Sequence, residues 1–273
     1  MMKIALFCFS GTGNTRFVAE KITNLFRIGN DCSLFSLEKH LDDASSIIAS
    51  ADLVGLGYPI YGSSVPDIVR DFIDRLERFD KPAFVFCTQL MYSGDGAAYG
   101  GRLLEKKGFR PLWQEHFNMP NNITDLAFLT RKKPPRYGAI SFRVERKAKV
   151  FVARILSGRP KKKGSNFFSL LLGLVQRVPY EKLEENAVKD AIRIKHDKCT
   201  RCGRCVSLCP RQNLELKQGR IEVGDHCTIC YRCVNHCPER AMYVLSKKGV
   251  RNPYHGPEAN FRIQRVMRDD ITD

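Results

Sequence analysis

Two runs of cysteine carry the most specific chemistry in this chain. Cys199-Thr-Arg-Cys202-Gly-Arg-Cys205-Val-Ser-Leu-Cys209-Pro210 is followed by Cys227-Thr-Ile-Cys230-Tyr-Arg-Cys233-Val-Asn-His-Cys237-Pro238. Both read C-x2-C-x2-C-x3-C-P, and the second repeats the first at an offset of 28. The match extends beyond cysteine: Asp197 aligns with Asp225, Thr200 with Thr228, Arg204 with Arg232 and Val206 with Val234. Such self-similarity implies two copies of one structural unit. Three cysteines at this interval wrap a loop around three corners of an iron–sulfur cube, and the fourth, just before proline, reaches the other cube. On that logic Cys199, Cys202, Cys205 and Cys237 hold one 4Fe–4S cluster. Cys227, Cys230, Cys233 and Cys209 hold the other. Zinc also takes C-x2-C pairs, but nothing about zinc requires the C-x3-C-P close repeated in register.

A second set of candidates lies in the first 120 residues, where apolar strands alternate with amphipathic helices. Strands are expected at 4–9, 33–36, 53–57, 83–87 and 113–117, and helices at 14–26, 68–79, 100–107 and 144–156. That alternation argues for an α/β fold with a doubly wound, parallel, five-stranded sheet. Ligands of such sheets sit beyond the carboxyl ends of the strands, and three loops fall there. Ser10-Gly11-Thr12-Gly13-Asn14-Thr15 combines glycines, hydroxyls and a helix N-terminus, which together favour an anion. It has no lysine, so it is not a triphosphate loop, and it lacks G-x-G-x-x-G. A hydroxyl-rich loop suits a single phosphomonoester. The second loop is Tyr58-Pro59-Ile60-Tyr61-Gly62 and the third Thr88-Gln89-Leu90-Met91-Tyr92-Ser93-Gly94-Asp95-Gly96. Their aromatic rings could sandwich a planar heterocycle while free loop amides bond its polar edge.

Residues 190–246 resemble a bacterial-type two-cluster ferredoxin, with short β segments expected at 191–195, 214–216, 220–223 and 242–245 to flank the runs. Residues 1–158 resemble the short-chain flavodoxins. The whole chain is therefore similar to flavodoxin–ferredoxin fusion proteins of anaerobes. The resemblance implies FMN beside the two clusters. Ser10, Gly11, Thr12, Gly13, Asn14 and Thr15 would hold its phosphate. Tyr58, Pro59, Ile60, Tyr61 and Gly62 would flank the isoalloxazine on one side, and Thr88, Gln89, Tyr92, Ser93, Gly94, Asp95 and Gly96 on the other. The second loop departs from the family pattern in having no tryptophan. The stacking ring in the third region is either Tyr92 or Tyr99, and Asn121-Asn122 could also reach the site. The implied function is an electron relay linking one-electron and two-electron redox partners. The alternative is an FMN-dependent reductase of a small quinone-like acceptor fed by the clusters. No catalytic acid or base can be named.

Composition sets the frame for these readings. With 273 residues the length suits about two domains. The 43% hydrophobic and 27% charged residues leave no room for long disorder. The opening apolar stretch is too short for a signal peptide and reads as a strand, so a cytoplasmic location is expected, where clustered cysteines point to metal rather than disulfides. Cys8, Cys32 and Cys87 read as packing residues. The six histidines form no ligand set.

Charge is uneven. The net is +16, and residues 121–190 alone hold 16 basic against 6 acidic side chains. Redox partner proteins with an acidic docking face account for this by electrostatic steering. Nucleic acid is not expected, because aromatics are not interleaved with the lysines. The domain reading is a flavin domain at 1–158, a basic and apolar linker at 159–189, the cluster domain at 190–246 and a tail at 247–273 with no assigned role. Arg159-Pro160-Lys161-Lys162-Lys163-Gly164 reads as a hinge. The apolar run at 167–175 is too short to span a bilayer. It packs either between the domains or over the flavin, or it touches a membrane surface with the basic arm.

Overall fold

The computed structural model describes residues 1–126, 135–187, 191–246 and 249–270, with side chains omitted for 181–187. The basic triplet at 131–133 lies outside the described residues. The N-terminal part runs β1 (Lys3–Cys8), α1 (Asn14–Phe26), β2 (Asp31–Ser36), α2 (Ala44–Ser50), β3 (Leu53–Pro59), α3 (Asp67–Arg75), β4 (Pro82–Gln89), α4 (Gly96–Lys106), β5 (Arg110–Asn118), α5 (Tyr137–Leu156) and β6 (Lys161–Lys162). All strands pair parallel in the order β2-β1-β3-β4-β5-β6. Without β6 this is the flavodoxin-like order 2-1-3-4-5.

The sheet therefore has six strands rather than the five expected. The extra one falls where the sequence reads as a hinge. The Trp113 indole donates to the Arg159 carbonyl at 2.9 Å, and the Lys163 amide donates to the Gln114 carbonyl at 3.2 Å. Those bonds draw the basic segment along the edge of β5, and its lysines keep that edge from pairing further.

Continuous apolar strands are what a sheet covered on both faces requires. From β1, Phe7 packs with Val54, Leu56, Ile68 and Phe72 on the α2–α3 side. Leu6 and Cys8 pack with Phe17, Ile22, Val144 and Phe151 under α1 and α5. Burial pushes the Cys8 and Cys32 thiols up to about 12, so both act as packing groups.

The C-terminal part follows as α6 (Phe167–Ala187), β7 (Arg193–Ile194), α7 (Arg204–Leu208), β8 (Leu214–Lys217), β9 (Arg220–Val223), α8 (Arg232–His236) and β10 (Met242–Tyr243). The flanking strands occur, paired antiparallel as β7 with β10 and β8 with β9. Each pair thus bridges the two cysteine runs, and one core forms from both.

The tail crosses back to the first domain. The Asp269 carboxylate accepts the Ser36 amide at 2.8 Å, and the Asp270 amide donates to the Leu34 carbonyl at 2.6 Å. Arg16 on α1 donates to the carbonyls of Arg268 and Asp270. The Phe261 ring fills the space a side chain at Gly13 would need, and Gly13 sits at φ 98, where glycine is favoured.

Candidate functional site

A cavity of about 460 Å³ opens at the carboxyl ends of β1, β3, β4 and β5. That volume is within the range of small-molecule and cofactor sites. Ser10, Gly11, Thr12, Asn14 and Thr15 line one end, with Pro59, Ile60, Tyr61, Gly62, Thr88 and Gln89 along the wall. Met119, Pro120, Asn121, Asn122 and Ile123 close the far side.

The end made by residues 10–15 is built for an anion. Helix α1 begins at Asn14 with Gly13 as a left-handed cap and no side-chain cap bond, so its first-turn amides depend on an outside acceptor. Behind the loop lies Arg232, 0% exposed, whose guanidinium donates to the carbonyls of Ser10 at 2.9 Å and Gly11 at 3.1 Å. The peptides of this loop are trans, so turning those carbonyls to Arg232 turns the amides of Gly11 and Thr12 the opposite way. Bidentate pairing with Glu38 and a bond to the Leu208 carbonyl hold the guanidinium in place. The other loop side chains are already engaged. Thr15 bonds Thr88 across their hydroxyls at 2.8 Å, and Asn14 bonds the Pro120 carbonyl at 2.9 Å and the Tyr254 hydroxyl.

Two buried hydroxyls in the cavity wall have no partner, those of Thr12 and Tyr61. Burial raises the Tyr61 pKa well above its ordinary value, so the phenol stays protonated and can donate. Orphaned buried donors are costly unless a ligand meets them. Neutral donors around an uncapped helix start, with no lysine or arginine on the described lining, fit a terminal phosphate and an uncharged ring system.

Several expected residues do not line the cavity. Gly13 faces Phe261 instead. Tyr58 is buried in the core, where its hydroxyl donates to the Gly96 carbonyl at 2.8 Å and accepts the Gly100 amide at 3.1 Å. Tyr92, Ser93, Gly94, Asp95 and Gly96 lie off the lining, and α6 packs against Tyr92, Gly94 and Asp95 of that loop. Gly94 abuts Gly173, the Tyr92 hydroxyl meets that of Ser169, and Asp95 is paired with Arg177 at 3.2 Å and with Arg102. Tyr99 is capped by the Arg177 guanidinium at 3.8 Å. Neither Tyr92 nor Tyr99 therefore stacks over this cavity. The linker displaced that loop, which no spacing within the loop could reveal.

The residues of the roof are not among the expected site residues. Tyr180 comes from α6, Leu245 follows β10, and Ile229 and Tyr231 belong to the second cysteine run. One signal for the last two was available in the repeat. Arg201 (φ 60) and Gly203 (φ 71) match Ile229 (φ 50) and Tyr231 (φ 61) at the offset of 28. The second run thus keeps side chains in a left-handed conformation that disfavours them, and such strain gathers at functional sites. Tyr231 uses its side chain to roof the cavity and donates its hydroxyl to Asp125 at 2.9 Å.

The structure brings the eight cysteines together in two groups. Cys199, Cys202, Cys205 and Cys237 surround one recess, while Cys209 lies with Cys227, Cys230 and Cys233. Amides of Asn213 and Ala241, again 28 apart, donate to the sulfurs of Cys209 at 3.2 Å and Cys237 at 3.3 Å. Bonds of this kind stabilise thiolate ligands and tune cluster potential. Among the described residues no three of His, Cys, Asp or Glu could hold a single ion, and a four-corner cluster does not need its ligands to meet at one point. The two sets differ in exposure: Cys202 is exposed, whereas Cys227, Cys230 and Cys233 are buried.

Residues 191–238 match the 4Fe–4S dicluster domain family. No curated protein matches the chain. Among solved structures, rubredoxin oxygen:oxidoreductase from Desulfovibrio gigas is 18% identical with a TM-score of 0.38, covering 57% of this chain and 36% of that one. The flavoenzyme NAD(P)H:(acceptor) oxidoreductase of Paracoccus denitrificans is 16% identical with a TM-score of 0.39, covering 57% and 98%. A flavodoxin, WrbA-like protein from Agrobacterium tumefaciens is 16% identical with a TM-score of 0.37, covering 58% and 99%. At such scores these likenesses carry no argument about function.

Proposed function

Starting from a chain that joins a flavodoxin-like fold to a 4Fe–4S dicluster domain, we propose that it is an internal electron relay between two clusters and a bound flavin mononucleotide. The observation that carries this reading is the shared wall. Ile229 and Tyr231 roof the cavity, and the cysteine between them touches its anion loop. A side chain at Gly11 would sit 2.5 Å from the Cys230 carbonyl oxygen.

The clusters supply single-electron transfer, and a flavin links one-electron to two-electron chemistry. The protein's own residues fix position. The Gly11 and Thr12 amides, the Thr12 hydroxyl and the α1 N-terminus would hold the phosphate. Pro59, Ile60 and Tyr61 would flank the ring system, and Tyr231 and Ile229 would exclude water between it and the second cysteine run. The first run is the outward terminal. Lys198, Arg201, Arg204 and Arg240 lie exposed around or beside its cysteines, a surface suited to an acidic redox protein.

The test is anaerobic reconstitution. The expected product contains about eight irons and one flavin per chain, and reducing the clusters with a one-electron donor bleaches the flavin as well. Protein with full iron and no affinity for flavin mononucleotide would overturn the reading.

A further inference from the structure

Helix α6 is inside out. Residues of an amphipathic helix that recur every three or four positions share a face, and here the inward face is polar. Ser169 and Arg177 are buried, and Gly173 lies against Asp95. The apolar residues Phe167, Phe168, Leu171, Leu174, Val175 and Val178 form the opposite stripe, and all are exposed. Phe167 is 71% exposed, Phe168 80% and Val175 62%. A contiguous apolar patch of this kind marks an interaction surface.

Two neighbouring features extend it. The tip of the loop after β4 presents Leu90 and Met91, the latter 73% exposed. Beside that tip lies a groove of about 480 Å³ lined by Arg143, Arg146, Lys147, Arg154 and Lys161, with Glu115 as its one carboxylate. Asn118 joins the two, donating to the Leu90 carbonyl at 3.2 Å and accepting from Arg143 at 3.3 Å. The outward stripe of α6 starts five residues after β6, whose Lys161 ends the groove.

We propose that this face lies on an anionic bilayer surface, the α6 stripe and Met91 entering the acyl boundary and the groove cations meeting headgroup phosphates. No described helix is long and apolar enough to cross a membrane, so the contact is with one leaflet. Charge complementarity selects lipid over a second copy of the chain, because pairing this face with itself would bring two basic grooves together. Leu90 belongs both to this surface and to the cavity lining, so the same contact sets the cavity mouth beside the apolar phase. The lipid face does not depend on what fills the cavity, and either reading can fail alone.

The experiment is co-sedimentation of the reconstituted full chain with vesicles containing phosphatidylglycerol, compared with vesicles of phosphatidylcholine alone. Binding is expected only to the anionic vesicles and should weaken with added salt. Arg146→Gln and Arg154→Gln should each weaken it roughly fivefold. Phe168→Glu combined with Leu171→Glu should abolish it while leaving the visible spectrum and iron content unchanged. Wild-type protein that stays in the supernatant with anionic vesicles at low salt overturns the proposal. So does vesicle binding that survives the Phe168 and Leu171 changes. A dimer in sedimentation equilibrium that those changes dissolve would assign the face to a second copy, and salt-sensitive capture by an acidic protein without vesicle binding would assign it to that partner.

Discussion

Arg232 ties the second cysteine run to the anion loop. It sits one residue before Cys233, yet its donors go to Glu38, to the carbonyl of Leu208 beside Cys209, and to the two carbonyls of the anion loop. Both charges of the Arg232–Glu38 pair are removed from solvent, with side-chain exposures of 0% and 9%. Removing one partner of such a pair strands the other. Arg232→Met should therefore lower unfolding stability by about 3–5 kcal/mol, read from the denaturant midpoint. It should also weaken flavin affinity, because the Gly11 and Thr12 amides lose the group that orients their peptides. Iron content should hold, since no ligand is lost. Glu38→Gln, which keeps an acceptor beside the guanidinium, should cost less on both counts. The aligned Arg204 of the first run is exposed, so residue identity at this repeat position served coordination geometry in neither run. In one copy it was turned into the link to the other domain.

At the scale of elements, the two groups of cysteines are written in the sequence because ligand spacing is local: the proposed cross-ligation follows from the length of a loop around a cube. It predicts that Cys237→Ser removes the cluster of the first run and Cys209→Ser the cluster of the second. Electron paramagnetic resonance of each reduced variant reads which signal survives, and loss of the cluster carried by the mutated run itself would contradict the pairing. The first five strands were also legible, since apolar continuity is a local pattern, whereas β6 falls on a basic stretch with no such signal. The third loop was not. Tyr92 to Gly96 have the composition of a flavin loop, but the buried Asp95–Arg177 pair draws them against α6. That contact spans 82 residues of sequence, beyond the reach of any spacing rule. The tail was illegible for the same reason. Its Phe261 is an ordinary aromatic until it packs on Gly13, where it braces the start of α1 from behind. Only the φ of 98 at Gly13 gives a local reason for the glycine, and that φ is not written in the sequence.

At the scale of the whole molecule, the two cluster sites are inequivalent, and their inequivalence gives the proposed relay a direction in space. The first run has its cysteines near solvent, among the exposed cations Lys198, Arg201 and Arg204. The second run is buried against the cavity. A partner that delivers electrons at the first run meets a positive surface, and α6 with its basic groove lies on a separate element of the other domain. Encounter of oppositely charged proteins is accelerated by their fields, and the gain collapses when salt shortens the Debye length to about 10 Å at 0.1 M. Replacing Arg201 and Arg204 together by glutamate should therefore slow second-order reduction by a small acidic donor by about tenfold or more at low ionic strength. The difference should vanish at high salt. Neither side chain reaches the cavity wall, so the later electron transfer within the chain should keep its rate, and stopped-flow traces that follow the clusters and the flavin at separate wavelengths resolve the two phases. Glutamate at Phe168 and Leu171 should leave the donor phase unchanged. If the charge reversal slows the internal phase instead, or if the α6 changes slow the donor phase, electrons enter elsewhere than at the first run.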